Sequence, residues 1–161
     1  MKYFRKLLSK NHCQSIIDLI PTLSEEVTTF ANENVKRLHV SPEWQYNFYR
    51  LGKQEVLEQI NVIEKKIPFT IVSFRIMHYP TGSSIGEHND SWHPIDGPSD
   101  CGMTIQLNNP DNYVGGQFYM NGEPTNLNIG DGVFYTYDEP HFVRKVLQGE
   151  RWIVSLRAKL R

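Results

Sequence analysis

The sequence predicts a mainly β fold, a sandwich or barrel with helices packed against its outside. Two observations carry this. From Pro68 onward, about seven short runs rich in β-branched and aromatic residues are separated by Gly, Pro, Asn or Asp. Before that point the apolar residues recur at helical spacing, so helices precede the strands instead of alternating with them. That order argues against a parallel sheet built from βαβ units.

Taken in order, "SKNHCQSIIDLI" reads as the first helix, capped by Ser9 or Asn11. Cys13, Ile16, Ile17 and Ile20 fall on one face, and Pro21 lies beyond its end. "SEEVTTFANENVKRL" and "KQEVLEQINVIEKKI" follow the same period, the latter with Val56, Leu57, Ile60 and Ile63 together and charges opposite. Between these two, "HVSPEWQYNFYRLG" has aromatics and no clean period. The strands expected next are "FTIVSFRIMHY", "GMTIQLNN", "GGQFYMNG", "TNLNIG", "GVFYTYD", "HFVRKVLQG" and "RWIVSLRAKL". With no repeat or linker, the expectation is one domain over residues 1–161: 1–67 as mainly helical support, 68–161 as the β core.

Composition narrows the class. The 161 residues suffice for a core without disulfides. Seventeen basic and 18 acidic residues give a formal charge of −1, so no overall basic bias advertises nucleic acid. Two cysteines, Cys13 and Cys101, make no metal or redox spacing, which favours a reducing setting. The basic start is followed by no apolar run, and no stretch approaches the ~20 apolar residues of a membrane helix. A cytoplasmic protein is the expectation.

The chemistry concentrates in "GEHNDSWHP". In a strand, residues two apart share a face, so His88 and Asp90 can converge on one point. Of the other histidines, His12 and His39 lack partners and read as surface or capping residues. His93 reads as a loop histidine with a ligand role as the alternative, and His78 must face away from its neighbour Tyr79. His141 lies about fifty residues on, where a jelly roll brings strands side by side. Two histidines and a carboxylate on one face of an octahedral ion leave positions open, as in non-haem Fe(II) oxygenases. Arg151 stands ten residues further on, past a turn at Gly149 that should make its strand the hairpin partner of the His141 strand. A buried arginine needs an anion, and a carboxylate suits its planar fork. The alternatives are a solvent-facing Arg151 or one paired with Asp131 or Asp138.

Together, His88-x-Asp90, His141 and Arg151 resemble the signature of the 2-oxoglutarate/Fe(II)-dependent oxygenases, most closely the prolyl 4-hydroxylase-like branch. "LSKNHCQSIIDLI" resembles that group's opening helix, and "HYPTGSSIGEHND" its run into the metal motif. "TIQLNNPDNYVGGQFYM" is similar to the strand-loop-strand of PKHD-type members. The resemblance covers residues 8–20 and about 72–157. It implies a double-stranded β-helix (jelly-roll, cupin-like) core buttressed by helices, with His88, Asp90, His141 and Arg151 as the catalytic set. The first three would bind iron. Arg151 would take the distal carboxylate of 2-oxoglutarate, with Tyr79 hydrogen-bonding the cosubstrate and Gln106 and Ser155 as candidate contacts to it. Gly115-Gly116 would be a tight turn; Trp92 and Trp152 read as packing residues, with substrate stacking as the alternative.

The implied cofactors are Fe(II), 2-oxoglutarate and O2, with ascorbate as a further candidate. The implied reaction hydroxylates an unactivated C–H bond and releases succinate and CO2, and a carboxylate at Asp90 fits hydroxylation where related halogenases carry a small residue. Its substrate is expected to be a prolyl or other amino-acid side chain, in a protein, a peptide or free form. One departure bears on this: relatives that hydroxylate prolyl peptides usually carry a tyrosine three residues before the first metal histidine, and here that residue is Ile85. The competing readings are a nucleic-acid or small-metabolite oxygenase and a non-catalytic jelly roll holding a metal or ligand. For the former, Arg144, Lys145, Arg157, Lys159 and Arg161 form a candidate basic patch that alternation could equally turn to solvent.

Overall fold

A computed structural model describes residues 2–20, 47–50, 54–91 and 99–161. The expected helix "SEEVTTFANENVKRL", His39, Trp92 and His93 lie outside these residues. Helix α1 (Lys10–Asp18) begins where Ser9 accepts a hydrogen bond from the His12 backbone N–H, so Ser9 and not Asn11 is the cap. Helix α2 (Gln54–Glu64) ends before Pro68.

The larger of two facing sheets has six antiparallel strands. In spatial order they are β1 (Lys2–Phe4), β9 (Gly132–Thr136), β5 (Cys101–Gln106), β12 (Arg151–Leu160), β3 (Phe69–Tyr79) and β2 (Asn47–Arg50). The smaller runs β4 (Ile85–His88), β10 (His141–Val143), β7 (Phe118–Met120) and β8 (Glu123–Pro124). A short ribbon pairs β6 (Val114–Gly115) with β11 (Val146–Gln148). The architecture is the expected jelly-roll β-helix.

Alternation along the large sheet divides two cores. Outward, Phe74, Ile76, Cys101, Met103, Ile105, Val154 and Leu156 meet Cys13 and Ile16 of α1 and Ile63 of α2. Inward, Met77, Tyr79, Val133, Tyr135 and Ile153 meet Ile85, Phe118, Met120 and Val143 of the small sheet. Register sets the inner face in rows: Arg151 beside Tyr79; Ile153 between Met77 and Gln106; Ser155 between Arg75 and Thr104; Arg157 between Ser73 and Gly102. Helices α1 and α2 thus buttress a sheet whose other face holds polar groups.

Several expected strands are altered. "TNLNIG" is a turn, because local bonds replace the ladder. Thr125 returns to the Phe118 carbonyl through both N–H (2.8 Å) and Oγ1 (2.9 Å), and the Asp131 carboxylate accepts from the Asn128 N–H. "HFVRKVLQG" is two strands, broken at Arg144 and Lys145, where the Lys145 carbonyl accepts the Gly116 N–H at 3.1 Å; Gly115 and Gly116, at φ +79° and +65°, close the short strand β6 where a tight turn was expected. A Cβ on Gly115 would lie 2.2 Å from the Lys145 carbonyl oxygen. The His141 and Arg151 strands are consequently not hairpin partners. β10 stays in the small sheet and β12 crosses to the large one. β1 and β2 were not expected. Each is short and completes an edge, and Arg5 secures β1 by pairing with Asp131 at 2.7 Å.

Candidate metal and anion site

Strand β4 ends at His88, so Asp90 does not reach the site as a strand residue. It arrives through a bend held by its own N–H, which donates to the Tyr137 carbonyl at 2.7 Å. His141 sits directly opposite His88 in the β10–β4 pairing. The expected neighbourhood of these strands is therefore met, and the three side chains converge. Asp90 Oδ1 lies 3.7 Å from His88 Nε2 and 3.6 Å from His141 Nε2.

Both rings are pre-set for ligation. Each Nδ1 lies 2.9 Å from a carbonyl oxygen, Gly86 for His88 and Glu139 for His141. A carbonyl only accepts, so Nδ1 carries the proton and the Nε2 lone pair points at Asp90. The Glu139 carboxylate is itself pinned by the Thr136 N–H and the Asn121 amide, both at 2.8 Å, which steadies the carbonyl that orients His141. Behind the ring, Tyr135 packs with centroids 4.6 Å apart and Phe118 at 5.6 Å. Gly102 makes room for this: a Cβ there would lie 2.5 Å from Tyr135 Cε2.

Electrostatics favours a divalent cation. Burial, then His141, lower the His88 pKa to about 4, so its imidazole is neutral at physiological pH. Burial alone would raise the Asp90 carboxyl, but Arg157 first, then the two imidazoles, hold it below the usual range. The Arg157 guanidinium ion-pairs with Asp90 Oδ2, both side chains being almost fully buried, and leaves Oδ1 facing the histidines. Arg157 is thus absent from any basic surface patch. Its even spacing from Arg151 put both on the inner face of β12, and that spacing was the available signal.

Donor atoms bound to one ion at ~2.1 Å stand at most about 4.2 Å apart, and the 3.6 and 3.7 Å spans fall inside that limit. Two imidazole nitrogens and one carboxylate oxygen suit an iron-type divalent ion and leave further positions open. Among the described residues this is the cluster that can hold a metal.

Arg151 lies on the same inner face, 1% exposed. It is neither solvent-facing nor paired with Asp131, which Arg5 takes, or with Asp138, which accepts the Thr136 hydroxyl at 2.7 Å. Its Nε donates to Gln106 Oε1 at 3.2 Å, and its guanidinium carbon lies 5.4 Å from the centre of the Tyr79 ring. Nη1 is buried without a hydrogen-bond partner among the described residues. An unfilled buried donor on a cation is costly, so the arrangement fits an anionic oxygen from outside the chain. Gln106 addresses Arg151, whose row neighbours it. Ser155 is buried four residues along β12 from the arginine and two before Arg157, the ion-pair partner of Asp90. Tyr79 faces inward as expected, its hydroxyl 3.7 Å from Met77 Sδ, while His78 turns outward and stacks on Trp152 at 3.9 Å. Ile85 is core, opposite Val143.

No protein-family model matches the chain. A PKHD-type hydroxylase of Maricaulis maris is 32% identical over 98 residues, 55% of this chain and 45% of that protein. The chain spans about half the length of the curated relatives it matches first. A solved prolyl-4-hydroxylase of Pseudomonas putida superposes with a TM-score of 0.68 at 14% identity, covering 99% of this chain and 92% of that one. A prolyl hydroxylase of Trichoplax adhaerens, solved with a peptide fragment of a hypoxia inducible factor oxygen degradation domain, gives 0.71 at 14% identity, covering 98% and 82%. At these identities the structures share the fold with this chain.

Proposed function

We propose that this chain, a relative of PKHD-type hydroxylases with the jelly-roll fold of prolyl hydroxylases, is an Fe(II)- and 2-oxoglutarate-dependent dioxygenase that hydroxylates an amino-acid side chain. The observation that carries the reading is the pairing of two features on one barrel interior. One is a His88–Asp90–His141 cluster of metal-ligand type; the other is a buried arginine with an unfilled donor. A metal-binding jelly roll without a cosubstrate has no need of the second.

His88 Nε2, Asp90 Oδ1 and His141 Nε2 would hold the iron. With 2-oxoglutarate bound to it, iron supplies oxygen activation coupled to loss of CO2 and formation of succinate. The chain's own contribution is orientation. The Gly86 and Glu139 carbonyls fix the imidazole tautomers, and Arg157 keeps Asp90 charged and turned. Arg151 takes the cosubstrate's far carboxylate. Buried Met77, Ile153, Met120 and Val133 keep the interior dry, which strengthens each charge contact. Tyr79 and Ser155, on the same face, are the further cosubstrate contacts in this reading. A peptide-like prolyl substrate is supported by the Trichoplax neighbour's peptide. Ile85, buried where prolyl-peptide hydroxylases usually carry tyrosine, leaves a free amino acid as the competing form.

The test is 2-oxoglutarate titrated into the anaerobic Fe(II) protein and its Arg151→Gln variant. Loss of a charge-assisted, two-point contact should lower affinity roughly a hundredfold or more, at ~1.4 kcal/mol per tenfold. Fe(II) affinity should barely change. Succinate formation should then be screened with prolyl peptides against free amino acids. Unchanged 2-oxoglutarate binding in a folded Arg151→Gln protein would remove the cosubstrate from the reading.

A further inference from the structure

The surroundings of Arg151 carry a second message, which rests on the oxygenase reading and concerns how the arginine's charge is kept available. Asn108 brackets Arg151 along the chain. Its Nδ2 donates to the Glu150 carbonyl at 2.9 Å, and its Oδ1 accepts the Trp152 N–H at 2.8 Å. These are the backbone groups on either side of the arginine. The same residue also decides which way Gln106 points. Gln106 Nε2 donates to the Asn108 carbonyl at 2.9 Å and to its Oδ1 at 3.2 Å, so Gln106 Oε1 must be the end that faces Arg151 Nε.

The consequence is chemical. The guanidinium is held at its Nε edge by a neutral acceptor. A carboxylate at position 106 would offer Arg151 Nε the same kind of acceptor and would cancel its charge, at the cost of the two hydrogen bonds donated to Asn108. An arginine that served only to stabilise the barrel would gain from such a counter-ion, because a buried cation is costly without one. With an amide in contact instead, the charge stays uncompensated at that edge and the Nη edge stays open for a ligand that brings its own negative charge.

We propose that Gln106 and Asn108 are positioning residues for the distal carboxylate of 2-oxoglutarate. Gln106 anchors Arg151 without neutralising it, and Asn108 sets both the amide's orientation and the backbone around the arginine. Neither needs to touch the cosubstrate.

The experiment compares Gln106→Glu, Gln106→Leu and Asn108→Ala in the Mn(II)-loaded protein, titrated with 2-oxoglutarate and with 2-oxovalerate. The second compound keeps the chelating 2-oxo acid head and has a methyl group where the distal carboxylate would be. Gln106→Glu should lose about a hundredfold in 2-oxoglutarate affinity, in line with removing a charge-assisted contact, while 2-oxovalerate and Mn(II) binding hold. The same variant should stay folded without ligand, since the internal partner Arg151 acquires offsets the two lost hydrogen bonds to Asn108. Gln106→Leu should lose less 2-oxoglutarate affinity than Gln106→Glu, and Asn108→Ala roughly tenfold. A side chain that merely fills space predicts the reverse order, because Glu matches Gln in shape and Leu does not. 2-Oxoglutarate binding to Gln106→Glu within threefold of the parent overturns the proposal. If that variant does not fold, unchanged 2-oxoglutarate affinity in Asn108→Ala overturns it. A parent protein that binds Mn(II) but prefers 2-oxoglutarate no more than 2-oxovalerate overturns the oxygenase reading itself, a separate result.

Discussion

Replacing Arg157 with methionine should destabilise the metal-free protein in a way that depends on pH. Arg157 is 4% exposed and Asp90 2%, and the guanidinium is the cation that meets Asp90 Oδ2. Methionine fills similar volume and leaves a buried carboxylate without its guanidinium partner. Removing one member of a buried ion pair costs roughly 3–5 kcal/mol. At about 2–4 °C per kcal/mol for a domain of this size, the midpoint should fall on the order of 10 °C. The sign of the pH effect follows from Asp90. In the parent its folded pKa lies below the ordinary value, so its stabilisation is complete above the unfolded pKa and is lost as pH falls through the folded one. In Arg157→Met burial dominates and raises the folded pKa. The folded state then takes up the proton more readily than the unfolded chain, and the gap between variant and parent narrows as pH falls. Urea unfolding of both proteins between about pH 5 and 8 measures this. Adding Mn(II) should stabilise the variant more than the parent, since the cation replaces the missing positive charge. Asp90→Asn combined with Arg157→Met should recover most of the loss. A cost below ~1 kcal/mol, or a gap that ignores pH, would refute the buried pair as described.

His88→Ala, Asp90→Ala and His141→Ala should each weaken Fe(II) binding strongly, whereas His93→Ala should leave it nearly intact. Metal titrations monitored by competition with a chelator check this, and the opposite pattern for His93 and His141 would dismiss the ligand set. In the metal-free protein the His88 ring should titrate near pH 4, not 6.5, by NMR. The unfolded chain takes that proton first, so His88 withdraws stability as pH falls from about 6.5 towards the folded value. A midpoint above 6 would show that the ring is not buried as described. Gly102→Ala should cost about 1–3 kcal/mol by driving a methyl into the Tyr135 ring. A neutral result in urea unfolding would mean that the ring has room to move.

Much of this was legible in the chain because it rests on local periods. Helical spacing marked the buried face of α1 at Cys13 and Ile16 and of α2 at Ile60 and Ile63, though Leu57, expected on the latter face, is exposed; two-residue alternation determined that Tyr79, Arg151 and Ser155 share a barrel interior while His78 does not. His88 with Asp90, His141 and Arg151 could be picked out by residue type and spacing alone. What alternation cannot supply is a partner. Whether Arg157 faced solvent or a buried carboxylate depended on which sheet brought Asp90 to it. Whether Gln106 met a cosubstrate or Arg151 depended on Asn108 turning its amide. The break at Lys145 lies against two glycines thirty residues earlier, and the bend that carries Asp90 is held by the Tyr137 carbonyl. Hydrogen bonds and ion pairs act over a few ångströms in space, between residues far apart in sequence. Only the packing of the two sheets decides which of them form.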